Sequence, residues 1–220
     1  MTRLWNWYKI GYGDTAMNLL TRLKNEYGYD YPIFLSEIDF AGLSKSYIDS
    51  QISRLVKSGE VVRFSRGVYY IHQETRFGKS VLQPLLVCRR KFIRNKGKIF
   101  GFYSGLNLEN GLGLSTQVPG TTEITTNAVK RNSVLKVGFY RISLKRPRVR
   151  INNRNVSLLQ FLNVIERIEL ASFGPDDFDI LSAFVKKNRL KRKSVLRVAE
   201  YYPKKTLETL RQTGLINELA

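Results

Sequence analysis

The sequence predicts an α+β protein in three parts: a helical segment closed by a β-hairpin, a strongly basic mixed α/β domain, and a helical C-terminal tail. Three observations predict it. Apolar residues recur at helical spacing in the first 60 residues and then give way to two short β-branched and aromatic runs. Two helix-like stretches and then three strand-like ones run from there to about residue 151, and the remainder reads as helix alone. The charge is unevenly placed along the chain. Its 220 residues carry 37 Lys+Arg against 18 Asp+Glu, a net of +19 with a pI near 10.1. Residues 1–75 hold 9 cations and 8 carboxylates, residues 76–150 hold 16 and 2, and residues 151–220 hold 12 and 8. A composition shift at Gln73–Lys79 therefore marks the expected boundary between a domain at 1–75 and a domain at 76–220.

In the first segment Ala16, Leu19, Leu20, Leu23 and Tyr27 share one face of a helix that Asp14 would cap and Gly28 would end. Ser36-Glu37-Ile38-Asp39 has the spacing of a capping box and predicts a short second helix stopping near Gly42. Ser44 opens a third helix, with Ile48, Ile52, Leu55 and Val56 on its apolar face and Ser58-Gly59 at its end. Val61–Phe64 and Val68–Ile71, joined by Ser65-Arg66-Gly67, predict a hairpin. Helix, short helix, turn, helix, hairpin is the order of a winged helix-turn-helix, in which the third helix enters the major groove. The candidate DNA contacts on that helix are Ser44, Lys45, Ser46, Tyr47, Ser50, Gln51, Arg54 and Lys57, flanked by Ser53. Arg63 and Arg66 are the candidates in the wing. Small donors, one aromatic and cations suit base edges and phosphates. A solvated polar face or a protein-docking module would show the same pattern.

In the second segment Lys79–Arg94 reads as a helix whose last-turn cations also suit the helix dipole. Tyr103–Leu112 reads as a helix, Glu123–Thr126 and Leu135–Leu144 as strands, and Arg148–Ile151 as a third strand. Asn155–Leu170 is a strongly apolar helix that closes the core. A helix starting at Asp176 and Asp177 and ending at Lys186-Lys187 follows, then shorter helices at Ser194–Tyr202 and Lys204–Thr213, stopped by Gly214. Arg89, Arg90, Lys130, Arg131, Arg146, Arg148 and Arg150 are the candidate phosphate contacts of this domain.

Two stretches carry a family resemblance. One is Arg63-Phe64-Ser65-Arg66-Gly67-Val68-Tyr69-Tyr70. The other is Gly101-Phe102-Tyr103-Ser104-Gly105-Leu106, followed by Leu112-Gly113-Leu114-Ser115-Thr116-Gln117-Val118-Pro119 and Glu123-Ile124-Thr125-Thr126-Asn127. Together they resemble the AbiE-type antitoxins of bacterial type IV toxin–antitoxin and phage abortive-infection systems, over about residues 12–170. The resemblance implies an N-terminal winged helix that represses its own operon and a C-terminal antitoxin domain. It also implies a nucleotidyltransferase-like toxin as functional partner, opposed without a necessary stable complex.

Other chemistry finds little material. One cysteine, Cys88, and one histidine, His72, leave no set for a disulfide or a zinc site. Gly78-Lys79-Ser80 ends like a P-loop, but Gln73 stands where its first glycine belongs. Gly11-Tyr12-Gly13-Asp14-Thr15-Ala16 follows Trp5–Ile10, which is no buried strand, so the dinucleotide fingerprint lacks its context. No apolar run reaches 18 residues, and Met1–Trp7 has no signal-peptide core. The expectation is a cytoplasmic regulator that is not an enzyme, binds double-stranded operator DNA, uses no cofactor or metal, and does not engage a membrane. The runner-up is an RNA-binding protein using Phe100, Phe102, Tyr103, Phe139 and Tyr140 among the cations. A protein-docking adaptor is the third reading.

Overall fold

The computed structural model describes residues 18–220, and their architecture is mixed α+β. Asp14 and Ala16, the fingerprint at Gly11–Ala16, Trp5–Ile10 and Met1–Trp7 lie outside the described residues. The chain divides into two compact units between Val87 and Cys88.

In the first unit, helix α1 spans Leu19–Tyr27 and is capped by Asn18, whose Oδ1 accepts from the Leu20 amide at 3.2 Å. Leu19, Leu20, Leu23 and Tyr27 are buried, as the helical spacing requires. Strand β1, Ile33–Phe34, follows. The short helix expected after Ser36 is absent, and only a 3₁₀ turn over Leu35–Glu37 forms. The reason is competition from the sheet. Ile33 and Phe34 pair with Tyr69 and Val68, and the Leu35 amide donates to the Gly67 carbonyl, so the chain is held to the sheet up to the residue before Ser36. Helix α2, Lys45–Lys57, begins at the Ser44 cap, whose Oγ accepts from the Tyr47 amide at 3.2 Å. Ile48, Ile52 and Leu55 face the core.

Strands β2 (Val62–Ser65) and β3 (Val68–Tyr70) form the hairpin. Gly67 takes φ +72° at its turn, and the register shifts between Arg63 and Ser65. The three-stranded sheet has the order β1-β3-β2. Leu23, Ile33, Ile52, Val61 and Ile71 fill the core beneath it. Gln73–Lys79, where composition placed the boundary, contains a small hairpin of β4 (Glu74–Thr75) and β5 (Gly78–Lys79). It is tied back through Ser80, whose Oγ donates to Asp30 at 2.5 Å. Leu82 and Val87 then pack against Phe34, Val68 and Tyr70. Helix α3 covers only Pro84–Phe92, shorter than the Lys79–Arg94 expected, because Lys79 pairs in β5 and a proline sits naturally in the first turn.

The second unit opens with hairpin strands β6 (Arg94–Asn95) and β7 (Lys98–Ile99). Strand β8, Gly101–Tyr103, precedes helix α4, Leu106–Leu112, so Tyr103 is in a strand rather than a helix. Strands β9 (Thr122–Thr126), β10 (Ser133–Val137) and β11 (Tyr140–Lys145) complete a four-stranded sheet of order β10-β11-β9-β8. The single strand read across Leu135–Leu144 is thus two strands folded about Gly138, at φ +58°. Arg148–Ile151 forms no strand. Asn127 holds it instead, donating to the Ile151 carbonyl at 2.7 Å and accepting from its amide at 3.0 Å.

Four helices close the unit. They are α5 (Val156–Ile165), α6 (Pro175–Asn188), α7 (Arg192–Ala199) and α8 (Lys204–Gln212). Phe161, Leu162, Ile165, Leu181, Val195 and Leu210 are buried in one core. The Asp177 carboxylate accepts from the Gly174 amide at the start of α6, with Lys186 and Lys187 in its last turn. Among the described residues no helix is long and apolar enough to cross a membrane.

Candidate nucleic-acid interface

Helix α2 carries two faces of opposite character. With Ile48, Ile52 and Leu55 inward, the helical period turns Ser46, Tyr47, Ser50, Ser53, Arg54 and Lys57 outward, and all are exposed, while Lys45, on the core side of the wheel, is exposed as the first residue of the helix. Gln51 sits at the edge, half-buried. The serines are partly engaged. Ser44 caps the helix and lies 3.2 Å from the Ser46 hydroxyl, while Ser50 and Ser53 donate back to the carbonyls of Tyr47 and Asp49. Their lone pairs remain as acceptors, so the free donors of this face are Tyr47, Arg54 and Lys57. On the hairpin, Arg63 and Arg66 are exposed, Arg66 within the tight turn itself.

The basic candidates of the second unit separate into two groups. Arg89, Lys130, Arg131, Arg146 and Arg150 are exposed. Arg90 is buried at 4% exposure and its Nε donates to the Asn95 side chain, so it faces the protein interior and not a phosphate. Arg148 is spent on a bidentate ion pair with Glu166, at 2.5 and 2.7 Å, and its guanidinium lies 4.7 Å from the Tyr202 ring centroid. Burial, opposed by the neighbouring Arg148, pushes the Tyr202 phenol up to about 12.

Around this pair lies a cleft of about 490 Å³ lined by Glu123, Thr125, Lys145, Arg148, Glu166 and Tyr202, among others. The sequence did not disclose it, because its partners are distant along the chain. Glu123 takes an ion pair from Lys145 at 2.5 Å and a hydrogen bond from Ser104 at 2.9 Å, and Thr125 donates to Ser104 in turn. Glu109 is paired with Arg167. Both carboxylates of residues 76–150 are therefore held in ion pairs.

The Gly101–Leu106 motif has a packing explanation. A Cβ on Gly101 would sit 2.0 Å from the Phe92 carbonyl oxygen, and one on Gly105 would sit 2.8 Å from Glu123. Of the five aromatics named for RNA stacking, Phe102 is buried and Phe100 and Tyr103 are half-buried. Only Phe139 and Tyr140 are exposed. His72 has an acidic neighbour, Glu74 at 3.1 Å, on the small β4–β5 hairpin. Cys88 is buried, and burial raises its thiol to about 11. Among the described residues no group of three or more His, Cys, Asp or Glu is placed to hold a metal ion. No model of a known protein family matches the chain, and a search of curated proteins finds no significant match.

Proposed function

We propose that this chain is a DNA-binding transcriptional repressor, and that its first unit is a winged helix-turn-helix reading an operator in duplex DNA. The observation that carries the reading is the α2 face. Tyr47, Arg54 and Lys57 project from one exposed side of a capped helix whose opposite side is buried, and the hairpin that follows carries Arg63 and Arg66. Such a helix presents base-edge and phosphate contacts without moving any core residue. The exposed cations of the second unit add sequence-independent phosphate contacts. On the residues that resemble AbiE-type antitoxins, the biological setting is a type IV toxin–antitoxin, abortive-infection system in the bacterial cytoplasm. There the chain represses its own operon and opposes a nucleotidyltransferase-like toxin, with no cofactor and no catalytic step of its own.

A reporter fused to the DNA upstream of the coding sequence tests the repression. The chain represses it in trans, and Arg54→Ala with Arg66→Ala relieves repression at unchanged protein level. Full repression by that double variant contradicts the reading. Co-expression with a neighbouring nucleotidyltransferase-like open reading frame tests the antitoxin role, with rescue of growth as the expected result.

A further inference from the structure

We infer that the β10–β11 hairpin is a binding element for single-stranded nucleic acid, with Phe139 as its base-stacking residue. The two strands are joined by the two-residue turn Gly138-Phe139, since Val137 pairs with Tyr140. Gly138 takes a positive φ and Phe139 does not, the pattern of a turn that needs glycine only at its first central position. Nothing in the turn requires an aromatic at the second. Yet Phe139 stands 99% exposed, with Tyr140 at 42% beside it. Phe77, at the tip of the β4–β5 hairpin, is also exposed, but Arg76 covers its ring at 4.8 Å. No ring or cation among the described residues covers Phe139.

The charge around that ring is of one sign. Between Glu123 and Glu166 the chain has nine lysines and arginines and no Asp or Glu. Lys136 and Arg141 are direct cross-strand partners, both exposed, and neither makes an ion pair among the described residues. Like charges placed opposite each other destabilise a β-ladder, and a bound polyanion removes that penalty. Lys130 and Arg131 enter β10, and Arg146 leaves β11, so cations flank the hairpin at its base as well. A bare ring between cations is what a strand with unpaired bases engages, by stacking on the ring and setting its phosphates on the cations. A duplex is a poorer fit. Inserting a ring there costs unstacking at a base step, and the tip offers only one fully exposed ring to hold the kink.

This inference is independent of duplex recognition by α2. The test measures binding of the full chain to a labelled 20-nucleotide single-stranded RNA of mixed sequence, to its duplex, and to polyphosphate as a competitor without bases. Phe139→Ala is expected to weaken single-strand binding by about 5- to 150-fold, the range of one base–aromatic stack. It should leave duplex binding and competition by polyphosphate within about twofold, and Phe139→Trp should retain single-strand affinity. Because the side chain is fully exposed, the thermal midpoint of both variants stays at the parent value. Lys136→Gln with Arg141→Gln should flatten the dependence of log affinity on log salt by about 1.4 for the single strand. Unchanged single-strand affinity in Phe139→Ala, or equal losses on strand and polyphosphate, overturns stacking. A larger loss on the duplex overturns the single-strand assignment in favour of a wedge.

Discussion

Gly101 shows how narrowly one residue can set the second unit. Its missing Cβ lets β8 pass against the end of α3, where the Phe92 carbonyl would otherwise lie 2.0 Å away and the Thr125 carbonyl 2.9 Å away. Neither obstacle is a flexible side chain, so the backbone itself must shift. Gly101→Ala should therefore cost about 3 kcal/mol or more, read as a fall of roughly 6–12 °C in Tm for a chain of this size. Cys88 gives a prediction of a different kind. Burial raises its thiol from 9.0 to about 11, opposed by Lys91. Iodoacetamide at pH 8 should label the folded protein at least about 100-fold more slowly than the unfolded chain, which holds that much more thiolate. The sign of the linkage follows. The folded state holds the proton more tightly, so this contribution to stability is complete below pH 9 and fades as pH rises toward 11. Rapid labelling of the native protein would show that Cys88 is reached by solvent.

At the scale of elements, α2 separates stability from recognition. Ile52→Ala should cost about 3 kcal/mol, and Ser44→Ala about 1 kcal/mol through the lost cap. Denaturant titration of the full chain should show both losses, and no comparable loss for Tyr47→Ala or Arg54→Ala. The same helix shows what a sequence reveals. Its cap, apolar face and glycine stop all act within 16 residues, and local spacing discloses them. The helix at Ser36 failed because a strand far ahead, β3, claimed the segment just before it. The strand across Leu135–Leu144 failed because one glycine inside an apolar run does not announce a reversal by itself. At the candidate site, the outward side chains of α2 followed from helical period alone. Arg90 and Arg148 looked the same in sequence as their exposed neighbours, yet one is buried beside Asn95 and the other is held by Glu166 from α5's end. The Arg148 pairing spans 18 positions and leaves no local trace, and the burial of Arg90 is set by packing that local spacing does not show.

Over the whole molecule, charge and shape are divided differently. The first unit supplies an amphipathic helix and a hairpin with four cations at the proposed interface, Arg54, Lys57, Arg63 and Arg66. Four phosphate contacts on B-DNA give a slope of log affinity against log salt near −3 to −4. Arg89, Lys130, Arg131, Arg146 and Arg150 remain exposed in the second unit, and if two or three of them share the duplex the slope of the full chain should be steeper, about −6. Replacing those five with glutamine should return it to about −3 to −4, and an unchanged slope would assign that charge to another partner.

The central claim is that the exposed face of α2 reads sequence. The most direct measurement compares the affinity of the full chain for a duplex from its own upstream region with its affinity for a scrambled duplex, in the parent and in Tyr47→Ala with Arg54→Ala. The parent is expected to prefer its own duplex, and the double variant to lose most of that preference. Each lost base contact removes about 1–3 kcal/mol of discrimination, while binding to the scrambled duplex falls only about threefold. Equal losses on both duplexes, or a parent with no preference between them, would contradict it.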